Sequence, residues 1–560
     1  MGVQVAVPVD AAPQAVDPKP ARPERAEGRL SRMRGKVRAG WKRSALAAAA
    51  GLALAAAFPP YGVWPLSLLA VAALALLTRG RTVRQGLWTG FAFGLPFFLW
   101  LLDWIRVIGW DAWFGLSLAE ALFVCALGGG LALTSRLRGW PLWGACLWVA
   151  EELVRDRQPL GGFPWGRLAF ANTASPYTPL AALGGAPLVT FAVALTGSLL
   201  AFLVLRAVRL RAAAGTGAGA GSPGWLKPAA AVLCAAMATG GGALVPIPTG
   251  GDTAGGPASF KVALIQGNVQ QPGMDFLGRP MQVLNNHAAE TERLAAAIKA
   301  GQVPAPDAVI WPENSSDLDP YSDSAAYSRI TEAVRTIGLP TLVGALVNGP
   351  DAQHVQNEGI VWDPVSGPGA HYTKQHPVPF GEYVPFRSVL MKVITRLQRV
   401  AHDFYPGKGI GVMQLGPAKI GDVICFEVAY DEIVRGTVNG GGRVLVVQTN
   451  NATYAESGQP DQQLAMSRLR AVEHGRAVLI AATSGISAVI RPDGTIESRT
   501  SELTAAELNA TVPLRDGKTL ADRLGEAPEW AISVIGLLAC AAAVALTRRR
   551  AAAAKADAQA

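Results

Sequence analysis

The segment KIGDVICFE (419–427) is a short, β-branched apolar run that stops at a thiol, Cys425, and passes into a helical pattern. Four runs of the same kind lie around it: FKVALIQGN (260–268), DAVIWPE (307–313), TLVGALV (341–347) and RVLVVQTN (443–450). Helical patterns at 281–300 and 322–337 separate several of them. Nearly continuous apolar strands between helices predict a sheet covered on both faces, hence a layered α/β domain over 259–515. Three of the runs end in a polar, reactive group: Glu313, Cys425 and Asn450. Ligands bind beyond strand ends in sheets of this type.

Outward from this block the composition changes. Of 560 residues, 50% are hydrophobic and only 16% charged, against about 25% charged in soluble proteins. The excess apolar residues crowd before 250 and after 525. Runs approaching the roughly 20 residues a bilayer requires predict seven spans near 44–58, 64–78, 87–107, 112–135, 141–154, 180–205 and 229–247. An eighth is expected near 529–547. The sequence before 44 is a basic tail and that after 547 a second tail; 248–258 is a linker and 516–528 a connector.

The net charge of +9 does not point to nucleic acid, because the cations sit in short clusters beside apolar runs. Those clusters (Arg32 to Arg43, Arg79 to Arg84, Arg136 and Arg138, Arg206 to Arg211, Arg548 to Arg550) occur before span one and after spans two, four, six and eight. That parity puts both termini in the cytoplasm and 248–528 outside the cell membrane. Asp103 and Arg106, one turn apart at the outer end of span three, are expected to pair. Glu120 lies deeper in span four and reads either as a functional group or as a helix–helix hydrogen bond.

Of five cysteines only Cys425 falls in the α/β block, so that block holds no internal disulfide. A thiol at a strand-to-helix turn has the placement of a nucleophile; the plain alternative is a buried structural cysteine. Glu313, beside Trp311 and Pro312, is either a desolvated base or a solvated strand-end carboxylate. Lys374 lies in HYTKQHPVPFGEYVPF (371–386), where an ammonium can stabilise an oxyanion and Glu382 can orient it. Its alternative is a surface salt bridge. The six histidines show no zinc-ligand spacing, so neither metal nor cofactor is expected.

Glu313 in WPE, Lys374 and Glu382 in the YxK…PFGE block and Cys425 in ICFE together resemble the nitrilase superfamily, whose members carry Glu, Lys and Cys in this order. With the spans, the outer segment GFPWGRLAF (162–170), and the blocks QGNVQ (266–270), TNNATY (449–454) and RAVEHGRAVLIAATSGISAVIRPDG (470–494), the resemblance narrows to bacterial apolipoprotein N-acyltransferases. It implies a membrane helical bundle of about eight spans carrying an extracytoplasmic α/β nitrilase-like sandwich. It implies transfer of an acyl chain from a phospholipid to the amine of a diacylated apolipoprotein through a Cys425 thioester.

By the same resemblance Glu313 is the general base and Lys374, with the Phe426 N–H, serves the oxyanion. Glu382 and Glu427 support them, Trp165 and Asn450 lie near substrate, and the expected state is a monomer. Two departures stand out. Met274 or Phe276 occupies the place of a lid tryptophan, and Phe426 stands where tyrosine is common. Other readings of the chain are a membrane-anchored amidohydrolase, or an inert scaffold partnering a polyprenol-phosphate mannose synthase.

Overall fold

The computed structural model describes Gly2 and residues 40–215, 226–253, 256–269 and 280–559. Each of the eight apolar runs forms a helix: 40–55, Pro65–Thr78, Val83–Leu101, Trp110–Thr134, Trp140–Arg155, Ala181–Gly215, Leu226–Gly240 and Ala527–Asp557. Among the described residues, three segments suffice by length and apolar composition to cross a membrane, Trp110–Thr134, Thr178–Ala212 and Ala527–Asp557. The run expected to continue to 107 breaks instead. Its helix ends at Leu101, and Asp103–Val107 forms a separate 3-10 turn in which Asp103 and Arg106 pair as expected.

Small residues set a very close helix contact in the bundle. A Cβ on Gly90 would sit 2.2 Å from the Val124 carbonyl, and one on Gly128 would sit 2.4 Å from that of Gly86. Only glycine permits this approach of Val83–Leu101 to Trp110–Thr134. The first of these helices starts at a capping box, in which Thr82 Oγ1 accepts the Gln85 N–H and Gln85 Oε1 accepts that of Thr82. Glu120 is buried and accepts from Arg155 Nη1 at 3.3 Å. Its role is thus a helix–helix ion pair.

The strands are β1 (Ser259–Gln266), β2 (Ala308–Ile310), β3 (Thr341–Asn348), β4 (His354–Asp363), β5 (Gly367–Thr373), β6 (Asp403–Phe404) and β7 (Val412–Leu415). They continue as β8 (Ala418–Ile424), β9 (Val444–Thr449), β10 (Val478–Ala482), β11 (Ala488–Ile490), β12 (Ile496–Arg499) and β13 (Ala506–Pro513). One sheet runs β13-β1-β2-β3-β4-β5 with β6 beside β4, the other β12-β11-β10-β9-β8-β7. The centres, β1-β2-β3 and β8-β9-β10, are parallel, and the flanks are antiparallel except for the short parallel pair of β4 with β6. The strand pattern predicts a sheet covered on both faces; two sheets stack here, the sandwich that the resemblance implies.

Alternation along the strands explains the stacking. Val262, Leu264 and Ile310 of the first sheet meet Ile420, Ile424, Val444 and Val446 of the second between the sheets. The opposite side chains of the first sheet, Ala263, Ile265 and Val309, meet helices Pro280–Lys299 and Ser324–Ile337 through Leu284, Leu294 and Ile330. The outer face of the second sheet differs. Val423, Val447 and Ile480 pack on helices Asp431–Asn439 and Gln459–His474, and this core continues without a break into Phe170, Ala186 and Val189 of the helical bundle. One helical layer therefore serves both halves.

Buried charge crosses the same boundary. Asp431 Oδ1 accepts from Arg167 Nη1 at 2.7 Å and from Arg470 Nη2 at 2.6 Å. Arg155 donates to the carbonyls of Phe163 and Trp165, while at the exposed rim Arg396 pairs with Asp111 at the start of Trp110–Thr134.

Candidate active site

β8 delivers its chain to Ile424, and Cys425 then adopts a φ of 54°. A left-handed non-glycine residue stores strain of about 1–3 kcal/mol and persists only where its surroundings enforce it. Glu427, fully buried, provides that enforcement. Its Oε2 accepts the Ile424 N–H at 2.8 Å, and its Oε1 accepts those of Gln375 (2.6 Å) and His376 (3.1 Å). The Tyr372 hydroxyl lies 2.9 and 3.0 Å from the two oxygens. One carboxylate thereby ties the cysteine elbow to the segment that carries Lys374. Burial pushes Glu427 up to about 7, while the Ile424 N–H and Lys374 pull the other way.

Lys374 is 2% exposed. Its Nζ donates to Glu313 Oε1 (3.0 Å) and to Glu382 Oε1 (2.7 Å). Glu313 Oε1 also accepts from Asn357 Nδ2 (2.7 Å), and Oε2 accepts the Asn450 N–H (2.8 Å). Glu382 Oε2 accepts the Val378 N–H, which fixes the PFGE turn. An ammonium has three N–H donors; two are held by these carboxylates and one is left over. Burial opposes charge on Lys374, but Glu313 and Glu382 outweigh it and hold the ammonium well above the usual lysine range.

The Cys425 side chain accepts from Thr449 Oγ1 at 3.3 Å. Burial and the Glu313 charge push the thiol up to about 12, against the pull of Lys374. Two carboxylates against one ammonium leave negative charge around it. At rest the group is a neutral thiol beside a carboxylate able to accept its proton.

The structure thus gathers Glu313, Lys374, Cys425, Glu382, Glu427 and the Asn450 backbone at one site. Phe426 and Trp165 stand together in its wall. Phe426 stacks on Phe163 and Trp165 at centroid distances of 5.6 and 5.7 Å, and Tyr430 Oη donates to the Gly162 carbonyl. Trp165 is fully buried and donates to Gln462 Oε1 at 2.6 Å; Trp104 donates to the same oxygen at 3.2 Å. The GFPWGRLAF segment therefore packs under the catalytic layer, next to the nucleophile elbow. Met274 and Phe276 lie outside the described residues.

Sequence reasoning passed over Asn357, Thr449, Tyr372 and Gln462. A signal existed for Asn357, a polar residue preceding the apolar stretch GIVW of β4, and for Thr449, which heads TNNATY. No local pattern marks Gln462, whose partners lie in the bundle. Among the described residues no group of three or more His, Cys, Asp or Glu is placed to hold a metal ion.

Residues 261–521 match the carbon-nitrogen hydrolase family and 50–199 the apolipoprotein N-acyltransferase N-terminal domain. The sandwich with its Glu, Lys and Cys is thus a carbon-nitrogen hydrolase domain. An apolipoprotein N-acyltransferase of Mycolicibacterium smegmatis is 39% identical over 496 residues, 87% of this chain and 82% of its own length. One from Azotobacter vinelandii is 31% identical, covering 87% and 92%. The chain belongs to the apolipoprotein N-acyltransferase family. Among solved structures, an amidase from Nesterenkonia sp. is 21% identical, covers 48% of this chain and 95% of its own, and superposes with a TM-score of 0.35.

Proposed function

We propose that the chain takes an acyl chain from a membrane phospholipid and transfers it to the N-terminal amine of the S-diacylglyceryl cysteine of apolipoproteins. The observation that carries this reading is the buried Glu313–Lys374 pair beside Cys425, with the next residue, Phe426, stacked on the Phe163/Trp165 segment of the membrane bundle.

Glu313 accepts the Cys425 proton as sulfur attacks the ester carbonyl. The third N–H of Lys374 and the Phe426 backbone N–H stabilise the tetrahedral oxyanion. On collapse Glu313 returns the proton to the lysophospholipid alkoxide, leaving a thioester. The acceptor amine attacks it, Glu313 takes the amine proton, and the thiol is restored as the amide departs. Glu382 orients Lys374; Glu427 holds the elbow and the Lys374 segment in register. Trp165 and Asn450 flank the acyl-bearing centre.

The intact protein exposed to phospholipid is expected to gain the mass of one acyl group, and Cys425→Ser to gain none on sulfur. Adding a diacylated lipopeptide should discharge that mass onto the peptide amine. Free fatty acid without acylated peptide identifies a hydrolase instead and overturns the reading.

In the cell membrane the eight helices are spans 44–247 and 529–547, with the 259–515 domain on the extracytoplasmic face, both termini cytoplasmic, and the chain a monomer. The basic clusters at the end of the bundle away from the sandwich support this orientation. In intact cells an impermeant maleimide should label Gly250→Cys and spare Arg138→Cys; the reverse pattern refutes it.

A further inference from the structure

At the end of the bundle away from the sandwich lies a second site. The helix over 40–55 leads toward the catalytic layer, where the Pro59 carbonyl accepts from Gln462 Nε2, so Arg43 belongs to the opposite end. There Arg43, Arg84, Leu87, Trp88, Phe91 and Cys125 line a cavity of about 560 Å³. Arg84 is the second residue of Val83–Leu101, and Cys125 lies nine residues before the end of Trp110–Thr134. From Arg84 to Phe91, at 1.5 Å per residue, the cavity runs about 10 Å from its cationic mouth along apolar walls.

Among the described residues no acidic side chain lines the mouth. Arg43 Nε is buried with no hydrogen-bond partner among the described residues. The sequence holds no Asp or Glu between Glu27 and Asp103, and Arg29, Arg32, Arg34, Lys36 and Arg38 add further positive charge just before the helix. Trp88, more than half exposed, donates from Nε1 to Ser44 Oγ at 2.9 Å. That bond holds an amphipathic ring at headgroup depth.

We infer that this cavity binds one anionic phospholipid of the leaflet facing away from the catalytic domain. Its phosphate lies between Arg43 and Arg84 and one acyl chain lies along Leu87, Phe91 and Cys125. Guanidinium–phosphate contacts hold the phosphate that all such lipids share, the net positive mouth disfavours a headgroup that carries its own cation, and the apolar walls distinguish a lipid from a free anion. The site rests on the membrane reading of the bundle and is independent of the acyl-transfer chemistry.

The full-length chain in detergent, titrated with phosphatidylglycerol or phosphatidylcholine and read by native mass spectrometry, tests this. One phosphatidylglycerol should be retained with at least about tenfold preference. Arg84→Gln and Leu87→Trp should each weaken it at least about tenfold. Arg138→Gln, a charge removed at the same end but outside the cavity, should leave it unchanged. Leu87→Trp fills the cavity without altering charge and carries the test if Arg84→Gln does not fold. Equal retention of the two lipids, or an equal loss in Arg138→Gln, overturns the site. Occupancy by inorganic phosphate alone, without lipid preference, overturns the lipid assignment. A chain that stays monodisperse without detergent refutes the membrane reading itself.

Discussion

Cys425 combines a strained backbone with a thiol whose pKa is raised, and the two have different causes. The φ of 54° is enforced by Glu427; the raised pKa comes from burial and from Glu313. A folded-state pKa near 12 exceeds the roughly 8.5 of a free thiol. The native state therefore keeps its proton where the unfolded chain loses it. Stability contributed by this group is complete below about pH 8.5 and declines as pH rises toward 12. Reactivity follows the same sign. Alkylation of Cys425 by iodoacetamide should keep rising with pH through 9 and 10, where an ordinary thiol has levelled off. A plateau near pH 8.5 in peptide-resolved mass spectrometry contradicts this.

At the scale of elements, the site is a junction of two segments that no hydrophobic pattern joins, the end of β8 and the loop after β5. Glu427 receives backbone N–H groups from both. Glu427→Gln keeps the shape but places an NH2 where an acceptor is required, and leaving a buried N–H unpaired costs about 1–3 kcal/mol. The expected results are a lower thermal transition and a loss of thioester formation of at least about tenfold, with Glu313 and Lys374 intact. An unchanged Tm and acylation rate count against the clamp. The sequence made the central strands legible to within a few residues, because β1, β3, β8 and β9 are apolar on both faces. It did not reveal β4 to β6 or β11 to β13. Of these, β4, β5, β12 and β13 mix polar and apolar residues, as antiparallel strands with one open face do, while β6 and β11 are only two and three residues long. Asn357 stayed hidden for the same reason. The Glu–Lys–Cys order was readable because each residue sits in a distinct local motif. The Phe426–Trp165 stack was not, because 261 positions separate its partners.

For the whole molecule, the decisive contact is the buried Arg167–Asp431–Arg470 chain between bundle and sandwich. Breaking a buried ion pair from one side leaves an uncompensated charge and costs about 3–5 kcal/mol. Arg167→Met should therefore lower the thermal transition and speed proteolysis at the linker 248–258, although residue 167 lies in the other half of the chain. Unchanged cleavage would show that the halves dock independently of this pair.

The shared helical layer has a consequence for how such a chain can diverge. Asp431–Asn439 and Gln459–His474 answer to two neighbours at once, β-sheet on one side and Phe170, Ala186 and Val189 on the other. A substitution accepted by one neighbour is still vetoed by the other, so these helices have the least freedom to change. A foreign sandwich grafted onto this bundle would bring no counterpart for Phe163, Trp165 or Arg167, so a working exchange has to carry both halves together.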